Sequence, residues 1–276
     1  MSNFKLGAYV NNDILYTRHT NAGFFSCCSV KLDNIIQYYN IYKKLPNVDS
    51  SKQFEWYKDI NNMNKDITFE YFENYNNINL NINTKNAINY KDQYQYLNYQ
   101  LLDYNSIVPF VIKYFSPAKE IVKIIDDIKN EYKIEYNNVC VLFYRGNDKN
   151  REYKTCGYEE FYTVSKKILE KNPNIIFLIQ SDETEFIEYF TNKYPNNSFY
   201  LKNHIRHMKK CNNTVDFVMK DKNSIFSKYY LAITIIMSKC KYVVCGTGNC
   251  SIWIMLYRGN FNNVCQNLHQ GWISNI

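Results

Sequence analysis

From Ser116 onward, short continuous apolar runs alternate with amphipathic stretches, and this narrows the possible fold more than any other feature of the 276-residue chain. Val139–Tyr144 and Tyr242–Cys245 are apolar throughout, as is most of residues 174–180. None shows the polar alternation of a strand with one wet face. Between the first two, Tyr158–Lys171 sets Phe161, Val164, Ile168 and Leu169 on one helical face, and residues 183–193 do the same with Phe186 and Phe190. Phe226, Tyr229, Ile233, Ile236 and Met237 mark a longer helix, and residues 250–257 another. Residues 198–201 read as a further short strand, 263–266 as the last strand, and residues 202–223 as a polar loop. Continuous apolar strands separated by helices imply an α/β fold with a parallel sheet covered on both faces.

The entry to this region reads as a helix with Ser116 as N-cap and Pro117 as first helical residue. Its stripe is Ile121, Ile124, Ile125, Ile128 and Tyr132. The N-terminal part is less periodic. Residues 6–10 and 14–17 suggest strands around an Asn11-Asn12-Asp13 turn, and residues 30–39 a helix with Leu32, Ile35, Ile36 and Tyr39 inward. Residues 47–95 read as loops with short helices, too aromatic for disorder. The expected division is an acceptor-side lobe over residues 1–115 and a ligand-binding lobe over 116–276.

Net charge is +7, which favours an anionic partner. Lys and Arg are scattered, so nucleic acid is not the expected one. Nine Cys without a C-x-x-C pair argue for reduced, buried thiols and against a zinc knuckle. There is no apolar leader and no run near the ~18 residues a membrane span needs. The expectation is a cytoplasmic protein, its three Asn-x-Ser/Thr sequons without consequence. The oligomeric state is not encoded legibly.

Ligands of open parallel sheets sit at the carboxyl ends of the strands. Polar residues gather at three such ends. Past the first stand Arg145, Asp148 and Lys149: a planar cation and a point charge suited to a diphosphate, or a solvated loop in which Asp148 pairs with Arg145 or Lys149. Past the second, Asp182 could accept from a sugar or base hydroxyl, or it and Glu183 could merely complement a helix dipole. Past the third, Gly246, Thr247, Gly248, Asn249, Cys250 and Ser251 lead from strand into helix, where backbone N–H groups can hold a phosphate. The turn lacks the full G-x-G-x-x-G or Walker pattern. His204 and His207 flank Arg206 without an acidic or Cys partner at matching offset, which favours a surface loop over a metal site. There is no D-x-D, G-x-S-x-G or H-E-x-x-H, so the metal–diphosphate clamp and the common hydrolase signatures are missing.

Taken in order, these segments resemble the donor-binding half of the α1,6-fucosyltransferase and protein O-fucosyltransferase superfamily, over residues 116–258. The family's H-x-R-R-x-D-K stands here as Phe143-Tyr-Arg-Gly-Asn-Asp-Lys149, its acidic strand tip as Ser181-Asp182, its Lys-Tyr-Pro as Lys193-Tyr194-Pro195, and its Ser-rich turn as Gly246-Thr-Gly-Asn249. The resemblance implies a GT-B architecture of two Rossmann-like lobes. It also implies an inverting, metal-independent glycosyltransferase without a cofactor, taking GDP-fucose as donor substrate and a glycan as acceptor. By the same token Arg145 falls on the arginine that contacts the donor β-phosphate, and Asp148, Lys149 and Asp182 fall on donor-site positions. The acceptor hydroxyl needs a proton acceptor; Asp148 and Glu152 are the candidates, Asp182 less so. Phe143 replaces the family's His, Gly146 its second Arg, and Gly248 and Asn249 its turn serines. Ile233 stands near the place of an Asp that helps to hold guanine. These departures keep two alternatives open: the same chemistry on another nucleotide sugar, and a nucleotide-binding protein without turnover.

Overall fold

A computed structural model of the protein describes residues 7–152, 155–269 and 271–276. The C-terminal part is built on a six-stranded sheet. Its strands are β4 (Val139–Tyr144), β5 (Ile176–Ser181), β6 (Ser198–Phe199), β7 (Tyr242–Cys245), β8 (Val264–Leu268) and β9 (Gly271–Ser274), in the spatial order β6-β5-β4-β7-β8-β9. All neighbours are parallel except β8 and β9; residues 263–266 are thus not the last strand, because the chain turns back and adds β9 antiparallel at the sheet edge. Every residue of β4 is buried, because this central strand is covered on both faces. That is the physical reason its sequence is an unbroken apolar run. The register places Tyr144 beside Ser181 and Phe143 beside Cys245. The three strand ends singled out from sequence therefore lie side by side.

Helices α3 (Lys119–Glu131), α4 (Tyr158–Lys171), α5 (Thr184–Lys193), α7 (Asn223–Lys239) and α8 (Asn249–Arg258) fill the connections. The first bears out its apolar stripe, with Ile121, Ile125 and Ile128 buried, but it starts later than the sequence suggests. Ser116 and Pro117 are not its cap and first residue. The Ser116 carbonyl accepts the Glu73 N–H at 2.8 Å, Pro117 bridges Phe72 in extended pairing, and Ala118 is the N-cap. Ser116 instead ends α2 (Tyr104–Phe115), a helix the sequence reading did not find. Within the presumed polar loop, Val215–Val218 forms a single turn, α6.

Before α2 the chain forms a small three-stranded sheet, β1 (Tyr9–Asn11), β2 (Ile14–Tyr16) and β3 (Asn47–Asp49), antiparallel then parallel. The turn falls at Asn12 and Asp13, both at positive φ; Leu6, expected in the first strand, lies outside the described residues. Helix α1 (Phe24–Tyr42) is longer than its apolar stripe suggests. It is buried on nearly all sides, so it has no single wet face to reveal it. Residues 55–101 carry a series of short 3-10 turns; the loops with short helices expected over residues 47–95 are found from residue 50 on, whereas Asn47–Asp49 pairs as β3.

One apolar core runs from α1 to the C-terminal sheet. At its centre Trp253 of α8, fully buried, packs on Phe115 at 4.7 Å and donates its indole N–H to Ser29 of α1 at 3.0 Å. Among the described residues, no helix is long and apolar enough to cross a membrane.

Candidate functional site

Arg145 follows β4 and is held from three sides. Its Nε–H donates to Asp182 Oδ2 at 2.9 Å, one Nη donates to Asp148 Oδ1 at 3.0 Å, and the other donates to the Tyr230 hydroxyl at 3.2 Å. Burial opposes the guanidinium charge, and the Asp182 carboxylate, with Tyr230 and Asp148, overcomes it, holding the group firmly in its cationic form. Asp182 is the more enclosed partner, its side chain 6% exposed against 22% for Arg145. Its second oxygen accepts the Gly146 N–H at 3.1 Å, and its carbonyl accepts Asn147 Nδ2 at 2.7 Å. Asp182 thus orients the loop after β4, and with Asp148 and Tyr230 it engages all three guanidinium nitrogens at the border of the cavities described next.

Lys149 pairs with Glu152 at 2.6 Å, and Glu152 also accepts the Tyr96 hydroxyl at 2.8 Å. Opposite them, the turn after β7 enters α8 through Gly248, whose φ of +137° few other residues adopt. Its N–H is already engaged, donating to Gln95 O at 3.1 Å and the Tyr99 hydroxyl at 3.0 Å. The Asn249 carboxamide is engaged as well. It accepts from Ser29 and donates to Ser26, both at 2.8 Å, tying α8 to α1. For a ligand the turn offers chiefly the first backbone N–H groups of α8, around Cys250 and Ser251, which have no intrahelical acceptor.

Two adjoining cavities meet at these residues. One, of about 790 Å³, is walled by Arg145, Asp148, Lys149, Glu152, Thr247, Gly248, Asn249, Cys250 and Ser251, with residues 21–26 and Trp56 facing them. The other, of about 610 Å³, is walled by Asp182, Gln180, Ser181, Arg206, Asp216, Phe226 and Ile233. Phe143, Arg145, Thr214, Asp216 and Tyr230 border both. Of the residues expected at the site from sequence, only Gly246 lines neither.

The sequence reading missed Tyr230, Arg206, Asp216 and Gln180. Arg206 lies over the Phe226 ring at 4.6 Å and donates to Asn223 Oδ1 at 2.6 Å. Gln180, 4% exposed, has a buried Oε1 without a partner among the described residues. The signal for it was available: an amide in an otherwise apolar buried strand is conspicuous. No such signal marked Tyr230, one of 27 tyrosines. Neither histidine of the loop works with a metal set. His204 pairs with Glu131 at 2.8 Å and His207 with Thr184 at 2.8 Å. Among the described residues no three His, Cys, Asp or Glu side chains cluster as metal ligands would.

No protein-family model matches the chain, and no curated protein matches it. Among solved structures it is similar to a NodZ α-1,6-fucosyltransferase soaked with GDP-fucose, at 10% identity and a TM-score of 0.41, over 63% of this chain and 54% of that one. It is also similar to the fucosyltransferase NodZ from Bradyrhizobium, at 10% identity and a TM-score of 0.38, over 63% of this chain and 53% of that one. The chain matches about half the length of either.

Proposed function

We propose that the protein is an inverting, metal-independent glycosyltransferase that uses a nucleotide-sugar donor, GDP-fucose in the first instance, and a glycan acceptor. The observation that carries this reading is the convergence of Arg145, Lys149 and the first turn of α8 on one cavity. Breaking a glycosyl–phosphate bond places growing negative charge on the leaving diphosphate. Without a metal, fixed cations and helix-terminal N–H groups must stabilise it, and preorganised groups do so at the least cost. Arg145 is preorganised by Asp182. Lys149 can leave Glu152 for a phosphate oxygen, which frees a carboxylate beside the reacting centre. Asp148 and Glu152 are therefore the proposed proton acceptors for the attacking hydroxyl, whereas Asp182 already accepts two hydrogen bonds and orients the cation. The second cavity would offer its polar edges, Gln180, Asp182, Arg206 and Asp216, to the ribose and base.

A second reading, the same chemistry on another nucleotide sugar, is favoured by Ile233. This apolar residue, 1% exposed, lines the cavity near the place where the resemblance would set a guanine-binding carboxylate. Thermal-shift titration with GDP, GDP-fucose, UDP and other nucleotide sugars, with and without chelator, separates the two. Saturation at a hundred times the dissociation constant adds about 2.7 kcal/mol. A shift with GDP that survives chelator supports the first reading, and a larger one with UDP supports the second. No shift with any nucleotide overturns both.

A further inference from the structure

We propose that Glu183 is a positioning residue for the Arg145–Lys149 loop, packed so closely against Gly146 that the loop keeps its place only while the Glu183 carboxyl group carries no charge. The inference rests on reading that loop as the phosphate grip.

Glu183 follows Asp182 at the end of β5 and is fully buried. From sequence it is only an acid near a helix N-terminus. In the fold its carboxyl turns under the loop instead. Oε2 accepts the Tyr158 hydroxyl at 2.5 Å, and Oε1 has no hydrogen-bond partner among the described residues. A Cβ added to Gly146 would stand 2.0 Å from Oε1 and 2.2 Å from Cδ. No side chain fits there, so Gly146 and Glu183 are complementary in shape. The two consecutive acids thus hold one loop differently: Asp182 by accepting its N–H, Glu183 by filling the space beneath it.

An orphaned, fully buried oxygen is tolerable on a neutral carboxyl and costly on a carboxylate. The surroundings agree. Burial is the strongest influence and pushes the carboxyl group up from its ordinary range. Tyr158 from α4 and Lys210 from the segment after β6 draw it back; Asp182 beside it and Glu185 on α5 push it up again. Tyr144 of β4 also lies against Gly146, and its neutral ring edge offers the orphaned oxygen no charge. The folded carboxyl group thus titrates above its unfolded counterpart, near 4.3. Its favourable neutral form is fully present below that value and is lost as pH rises through the folded value.

The test compares the intact wild-type chain with Glu183→Gln, a neutral near-isostere, and with Tyr158→Phe, between pH 4.5 and 9. Two quantities are read: deuterium uptake of residues 145–152, corrected for intrinsic exchange, and affinity for GDP. The expected result is that loop protection falls at least several-fold in the wild type as pH rises, with GDP affinity falling in step, while Glu183→Gln holds both nearly level. Tyr158→Phe, which loses the donor to the charged form, moves the fall to higher pH. Parallel profiles in wild type and Glu183→Gln would overturn the inference. So would loss of loop protection in a folded Glu183→Gln at low pH. Should Glu183→Gln not fold, an unmoved profile in Tyr158→Phe overturns it equally. Absence of GDP binding at every pH sinks the GDP-fucose reading instead, and the exchange profile still decides the role of Glu183.

Discussion

Asp182 grips two consecutive residues with its two oxygens, the Arg145 Nε–H at 2.9 Å and the Gly146 N–H at 3.1 Å. A guanidinium fixed through Nε keeps its two Nη groups on one side, which is the geometry that receives a phosphate edge-on. The arrangement also fixes where β5 ends relative to β4, because both partners leave paired strand ends.

Removing that grip is expected to cost stability and, on the proposed function, donor affinity. Breaking a fully buried pair from one side costs about 3–5 kcal/mol. Arg145 keeps Asp148 and Tyr230 and is partly exposed, so Asp182→Ala is expected to fall at or below the low end of that range in urea unfolding. Asp182→Asn keeps the shape and loses the charge. It should unfold closer to wild type yet bind the donor at least tenfold more weakly. Equal donor affinity in wild type and Asp182→Asn would show that the guanidinium needs no such orientation.

Asn249 is expected to act as a tie more than as a ligand. Its carboxamide bonds Ser29 and Ser26, and Ser29 in turn accepts the Trp253 indole N–H. Asn249→Ala takes the acceptor from buried Ser29 and the donor from half-buried Ser26, a loss of about 1–3 kcal/mol. Unfolding free energy checks this directly; a loss below about 0.5 kcal/mol would mean that water replaces the carboxamide freely.

Much of the C-terminal sheet is legible in sequence, and for a physical reason. Strands buried on both faces, such as Val139–Tyr144, must be apolar throughout, and amphipathic helices such as Tyr158–Lys171 must show a stripe; both elements fall where the pattern sets them. The pattern is weaker where tertiary contacts decide. Helix α1 is buried around its circumference, so residues 24–29 showed no periodic face. Ser116-Pro117 has the local chemistry of a helix start, yet pairing with Phe72 and Glu73 holds it extended. At the site, residues next to strand ends could be found because topology brings strand ends together. Tyr230 and Arg206 reach the same cavities from a helix and a loop, and nothing local in their sequence says so. The role of Asn249 was likewise hidden, since its partners lie about 220 residues earlier.

The cysteines offer a test of the core. Seven of the nine are buried, and only Cys156 and Cys211 are partly accessible. Burial pushes the Cys27 thiol up to about 11 and Cys156 to about 12, so few thiolates exist at pH 8. A thiol-exchange reagent is expected to react quickly with Cys211, slowly with Cys156, and with the other seven only at the rate of unfolding. Four or more fast thiols in the native protein would contradict the packing of α1 and the sheet.

Arg145 is the residue whose loss should harm turnover most. Its backbone leaves the central strand and its charge is aimed by Asp182, so in the proposed reaction it would meet a leaving diphosphate without reorganising. Losing one such preorganised donor typically costs about 3–4 kcal/mol in the transition state, or about 10²–10³ in rate. Arg145→Lys keeps a charge but not the planar fork that serves Asp182, Asp148 and Tyr230 together, so it should recover only part of the rate. Tyr230→Phe removes the hydroxyl that accepts from the Arg145 cation at 3.2 Å and also bonds Cys250, but leaves Asp182 and Asp148 to hold the guanidinium, so it is expected to cost far less than the loss of Arg145 itself. Asp148→Ala separates two roles. If Asp148 accepts the acceptor's proton, kcat falls while donor affinity holds or improves, because a carboxylate no longer competes with phosphate for Arg145. If it only pairs with Arg145 at 3.0 Å, turnover stays near normal and the melting temperature changes slightly. Transfer rates, donor affinities and melting temperatures of the four variants decide among these outcomes. A folded Arg145→Ala protein with near-normal transfer would show that the cation is structural and that the diphosphate is stabilised elsewhere.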